Sequence, residues 1–133
     1  MPGRAATLGR YGRNLAPEIA SFAETPLARM LGVLGGRWTV LTVQALDSGF
    51  NQFNQLQRRL DGISHKVLVD TLRSLQRDGF VHGPLTCDGA TGYRLTTLGR
   101  DLVDLVDQLR TWAEARETDL AEARDAFDTR GVA

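Results

Sequence analysis

Nucleophiles, bases and soft metal ligands are few in this chain: two histidines, His65 and His82, and one cysteine, Cys87. A catalytic triad needs a nucleophile, a base and an orienting group, and a closed zinc site needs four converging ligands. Three scattered residues supply neither, so we expect no enzyme and no cofactor. A structural metal on His82 and Cys87 would still be two ligands short of such a site. A different chemistry gathers around the only lysine, Lys66: Lys66, Asp70, Arg73 and Arg77 follow at helical spacing, next to Ser64, His65 and Val69. On one helix face these side chains suit a polyanion, and the ordinary alternative is a solvated surface. Lys66 fits a phosphate or guanine contact, and Arg73, about two turns on, fits phosphate. Asp70 could accept from a cytosine amino group and Val69 could touch a thymine methyl, although an acid also repels phosphates.

The flanking pattern supplies the elements that would hold this face. Asn54 and Gln57 form a capping-box-like start, and Phe53, Leu56 and Leu60 make an apolar stripe. Asp61-Gly62 stops that helix and Ile63 fills the corner. Ser64 then offers an N-cap to a second helix running to Asp78, with Leu68, Leu72 and Leu75 on its inner side and Gly79 at its end. Two such helices joined by a tight turn are either a plain helical hairpin or a helix-turn-helix, whose second helix can enter a major groove. The segments Phe80 to Thr86 and Tyr93 to Thr96 flank Cys87-Asp88-Gly89-Ala90-Thr91-Gly92, which is turn chemistry, so a β-hairpin follows. A hairpin in that place is the wing of a winged helix, and this order of elements favours DNA over the plain hairpin.

Upstream, residues 1–24 carry Arg4, Arg10 and Arg13 and read as a partly ordered arm. Thr25-Pro26 opens a helix with Leu27, Met30, Leu31 and Leu34, ended by Gly35-Gly36. Trp38 to about Asp47 makes another, and Phe50 to Gln52 a very short strand. Downstream, one long helix is expected from Thr97 to Phe127, with Leu98, Leu102, Leu105, Leu109 and Trp112 in a coiled-coil-like seam. A single small subunit would struggle to cover that seam, which argues for a homodimer.

Net charge is zero, but unevenly spread. Residues 37–77 hold six basic side chains against three acids, and residues 101–133 four arginines against nine acids. A basic centre with an acidic tail suits contact with a polyanion through one face only. No apolar run is long enough to span a membrane, and the first residues lack the apolar core of a secretion signal, so a cytoplasmic protein is expected. One cysteine cannot form an internal disulfide.

Six blocks in order, GGRW (Gly35 to Trp38), FNQL (Phe53 to Leu56), GISHKVL (Gly62 to Leu68), TLRSLQRDGFV (Thr71 to Val81), YRLTTLG (Tyr93 to Gly99) and LRTW (Leu109 to Trp112), resemble the HxlR family of bacterial transcription regulators. The resemblance covers about residues 25–115. It implies a winged helix related to the MarR group, a homodimer built from the first and last helices, and two-fold operator DNA. Family members that sense oxidants or electrophiles often carry a cysteine just before the proline of the first helix. Thr25 stands there, which excludes thiol sensing at that position. Gln52 replaces the family's basic residue before the FN pair, CDGATG replaces a longer basic wing tip, and Val69 stands where threonine is common.

The expected architecture is therefore mainly α with a small β-hairpin wing: an arm over residues 1–24, a winged helix-turn-helix over 25–96, and a dimerisation helix and tail over 97–133. The expected function is a DNA-binding transcriptional regulator, a repressor, with Ser64, His65, Lys66, Val69, Asp70, Arg73 and Arg77 facing double-stranded DNA. Two alternatives stay open. One is a winged helix that binds protein; the other adds a small-molecule effector in a dimer cleft near Phe22, Trp38 and Trp112.

Overall fold

The computed structural model describes residues 21–132, so most of the arm expected over residues 1–24 lies outside the described residues. The chain divides into two units between Val40 and Leu41.

In the first unit, helix α1 (Pro26–Leu34) starts as its sequence dictates. The Thr25 hydroxyl accepts from the Ala28 N–H at 3.1 Å and donates to the Phe22 carbonyl at 2.7 Å. Pro26, which has no N–H to leave unsatisfied, takes the first helical position. No residue of α1 is buried. Helix α2 (Arg37–Leu46) begins in this unit, and its later residues Thr42, Val43 and Leu46 are buried.

The second unit continues through β1 (Asn51–Gln52), α3 (Phe53–Arg59), α4 (His65–Arg77), β2 (Val81–Cys87), β3 (Ala90–Leu95), α5 (Thr97–Ala115) and α6 (Glu117–Val132). Its three strands form an antiparallel sheet in the order β1-β3-β2. Leu56 of α3, Leu60 and Ile63 of the turn, and Leu68, Leu72 and Leu75 of α4 are buried, as are Phe80 just before β2, Val81 and Leu95 of the hairpin, and Leu102, Val103 and Val106 of α5. This helix-turn-helix followed by a wing is the architecture the sequence implies.

Two glycines let the layers approach. A Cβ on Gly92 would collide with the Asn51 carbonyl, which the β1–β3 pairing brings against it. A Cβ on Gly99 would collide with the Phe80 carbonyl, so only glycine allows the first turn of α5 to rest on the base of the wing. Thr96 fixes that start: its Oγ1 accepts from the Gly99 N–H at 2.9 Å and donates to the Gly79 carbonyl at 2.7 Å, tying α5 to the end of α4.

Four local expectations need correction. The cap of α3 is Gln52, not Asn54: the Gln52 N–H donates to Gln55 Oε1 at 2.7 Å, because Gln52 is still extended in β1 and the helix begins at the next residue. Gln57 instead donates to the Ile63 carbonyl at 3.4 Å, closing the turn. The wing turn is only Asp88-Gly89, both with positive φ (51° and 81°), and the strands reach Cys87 and Ala90 on either side. Paired left-handed residues match the twist of the flanking strands, so a tight turn displaces the longer loop.

The long helix is interrupted. Arg116 departs from helical geometry (φ −115°, ψ 16°), α5 ends at Ala115, and α6 starts at Glu117 with Glu117 and Asp119 in its first turn, where acids complement the helix dipole. The expected seam is also split. Leu102 turns inward with Gly99, Val103 and Val106, whereas Leu98, Leu105, Leu109 and Trp112 lie on an exposed face. Helix α5 thus carries two apolar faces, one for its own domain and one uncovered.

Candidate nucleic-acid interface

Helix α4 is built so that one side is core and the other solvent. Ser64 caps it, accepting from the Val67 N–H at 3.1 Å. Leu68, Leu72 and Leu75 are fully buried, and Thr71, beside them, donates its hydroxyl to the Val67 carbonyl at 2.7 Å. Removing these groups from water fixes the rotation of the helix. The opposite side exposes His65, Lys66, Asp70, Arg73 and Arg77, with Ser64 exposed at the cap and Val69 half-buried at the margin. The structure thus brings all seven sequence-selected residues onto one helix and its cap, six exposed and Val69 between the two sides. The His65 ring lies 4.8 Å from the Phe53 ring, a tilted contact joining the first turns of α3 and α4.

Within the exposed stripe, Lys66 Nζ donates to Asp70 Oδ2 at 2.8 Å, one turn along the helix. The Asp70 hydrogen bond and charge raise the Lys66 pKa above its ordinary value. The same contact, helped by the more distant Arg73, holds the Asp70 carboxyl below the usual aspartate range. Both groups therefore stay ionised at neutral pH. Among the described residues, Arg73 and Arg77 form no salt bridge, so the two positive charges beyond the pair remain directed at solvent.

Arg59, one of the six basic side chains of the centre, is exposed but tied back to its own domain. Its Nη1 donates to Ser48 Oγ at 2.6 Å and to Asn51 Oδ1 at 3.2 Å, while Asn51 Nδ2 donates to the Gly49 carbonyl at 2.9 Å. Buried Asn51 is thereby satisfied and the end of α3 is clamped to the start of β1. Arg58 beside it is exposed. Two exposed wing residues were missed: His82 and Arg94 sit directly opposite each other on β2 and β3. The signal was present in the alternation around buried Val81 and Leu95, which turns their neighbours outward. Arg94 Nη2 also approaches Cys87 Sγ at 3.9 Å, and that thiol is half-buried.

Phe22 and Trp38 belong to the first unit, with the Arg37 guanidinium 4.9 Å from the Trp38 ring centre. Trp112 belongs to the second, with Arg116 at 4.6 Å over its ring. Among the described residues no group of three or more His, Cys, Asp or Glu side chains could hold a metal ion, and no helix is long and apolar enough to cross a membrane.

Comparison with known proteins agrees with this geometry. Residues 33–119 match the model of the HxlR-like helix-turn-helix family. The HTH-type transcriptional regulator YtfH of Escherichia coli is 33% identical over 108 residues, covering 78% of this chain and 85% of its own. The solved structure of the YtfH regulator from Salmonella typhimurium has a TM-score of 0.61 at 31% identity, covering 77% of this chain and 93% of that one. The redox regulator HypR in its reduced form gives 0.63 at 30% identity, with 74% and 99% covered. With a matching family model over most of the chain and a capped, solvent-facing second helix followed by a wing, the chain belongs to the HxlR-like helix-turn-helix family and is a DNA-binding transcriptional regulator.

Proposed function

We propose that the protein is a homodimeric repressor, working in the cytoplasm, that lays α4 of each protomer into successive major grooves of a two-fold operator. The observation that carries this reading is the stripe of Lys66, Asp70, Arg73 and Arg77, fully outward on a helix whose other side is locked into the core. Lys66 and Arg73 are the principal contacts, Arg73 to phosphate and Lys66 to phosphate or guanine. Arg77, His65 and Ser64 flank them, and Arg94 of the wing reaches the adjacent backbone.

The dimer is supported by the uncovered face of α5, where Leu105, Leu109 and Trp112 are 44%, 52% and 50% exposed. In the first unit, Leu27 and Leu31 of α1 are also exposed. Burial of such a face against its copy is favourable at roughly 25 cal/mol per Å² of apolar surface. The two-fold axis then sets the two α4 helices about one DNA turn, or a multiple of it, apart. Residues 25–96 read DNA in this scheme and residues 97–133 pair the subunits. Repression follows from a dimer occupying promoter DNA.

Binding to the DNA upstream of the protein's own gene, measured across salt concentrations, tests the proposal. Counterion release predicts a steep fall in affinity with salt. A salt-insensitive complex, or preference for a protein partner with no DNA binding, would favour a winged helix used for protein interaction.

A further inference from the structure

We propose that Asp70 is a specificity-determining residue that restrains Lys66 until α4 meets the right base edge. The inference rests on the DNA-binding role proposed for α4. Asp70 is the only acid in the exposed stripe and lies between Lys66 and Arg73. Its carboxylate holds the Lys66 ammonium at 2.8 Å although both side chains are largely in solvent, 84% and 59% exposed.

Helix stability favours the opposite order of charges. Cations oppose the dipole at a helix N-terminus, and the favourable order for a one-turn ion pair places the acid first. Here the base comes first, in the opening turn, and no acid occupies that turn. The pair makes sense as a constraint on a contact instead. On an arbitrary duplex the helix meets mainly phosphates, so engaging Lys66 means opening the pair and bringing the Asp70 charge toward like charge. At a site offering a cytosine amino donor, Asp70 gains a partner as it releases Lys66. An exposed pair is weak and easily exchanged, which lets the right site open it. Asp70 therefore weakens binding to arbitrary DNA more than binding to the chosen site.

The test uses full-length dimer and two probes, a mixed-sequence synthetic duplex and the duplex that the wild-type protein enriches from a random-sequence pool. Asp70→Asn should bind the mixed duplex roughly tenfold more tightly, with a salt slope steeper by about 2 per dimer as two ammonium groups reach phosphate. Its preference for the enriched duplex should shrink. Asp70→Glu, which keeps the carboxylate and can still reach Lys66, should show little of that gain on the mixed duplex. In the Lys66→Ala background the gain from Asp70→Asn should be clearly smaller. Circular dichroism should show unchanged helicity throughout, since neither side chain touches the core.

Unchanged mixed-duplex affinity in Asp70→Asn would overturn the proposal while leaving α4 as the reader. An equal gain with and without Lys66 would also overturn it, because simple charge removal would then suffice. Failure of the wild-type protein to enrich or bind any duplex would overturn the DNA role of α4 itself, and the restraint with it.

Discussion

Lys66 and Asp70 form a 2.8 Å ion pair on the solvent side of α4. Because the Asp70 pKa is lowered, its share of the pairing is present above the ordinary aspartate pKa and is lost only as pH falls through the lowered value. Because the Lys66 pKa is raised, its share is lost only as pH rises through the raised value. The pair should therefore be constant across the neutral range. An NMR titration of the Asp70 carboxyl should give a pKa below that of solvent-exposed aspartates, returning to the ordinary value in Lys66→Ala; no difference between the two proteins would mean the pair does not persist in solution. The helix face was legible in the sequence because Leu68, Leu72 and Leu75 define its opposite. The clamp made by Arg59 was not, since its partners Ser48 and Asn51 lie eleven and eight residues away and come near only once β1 has formed.

At the scale of elements, the wing and α5 hold α4 in register through glycine contacts and caps. Replacing Gly92 by alanine drives a Cβ into the Asn51 carbonyl and should detach β1 from β3. We expect that variant to lose several degrees or more of melting temperature, read by thermal unfolding, whereas Gly89→Ala at the open wing tip should cost much less. Ser64→Ala removes the N-cap acceptor of α4 and should cost about 1 kcal/mol in denaturant unfolding. A null effect would mean that solvent caps the helix equally well. Helices α1 to α5 were readable from apolar spacing, caps and glycines. The break at Arg116 was not, because no glycine or proline marks it and only the backbone at one residue departs from helix. The wing was read with too long a loop, since Asp88 in a left-handed conformation gives no signal beyond its place before glycine.

At the scale of the molecule, the second apolar face of α5 is the feature that sequence periodicity merged with the core. Spacing by three and four does not say which of two neighbouring stripes a domain covers itself, so Leu102 was grouped with Leu105 and Leu109. Charging the exposed stripe with Leu109→Asp should give a folded monomer by light scattering, with DNA affinity reduced far more than the loss of one contact would explain; a dimer unaffected by this change would place the subunit interface elsewhere. The most direct test of a two-fold reader built on α4 is a gel-shift titration of Lys66→Ala/Arg73→Ala beside wild type at several salt concentrations. On the duplex that the wild-type protein selects, losing Arg73 from two subunits should lower the log-log salt slope by about 2, rising to about 4 where Lys66 also meets phosphate, and the double variant should nearly abolish binding at physiological salt. Wild-type affinity with an unchanged slope, in a double variant that remains folded and dimeric, would contradict the assignment of α4 as the helix that reads DNA.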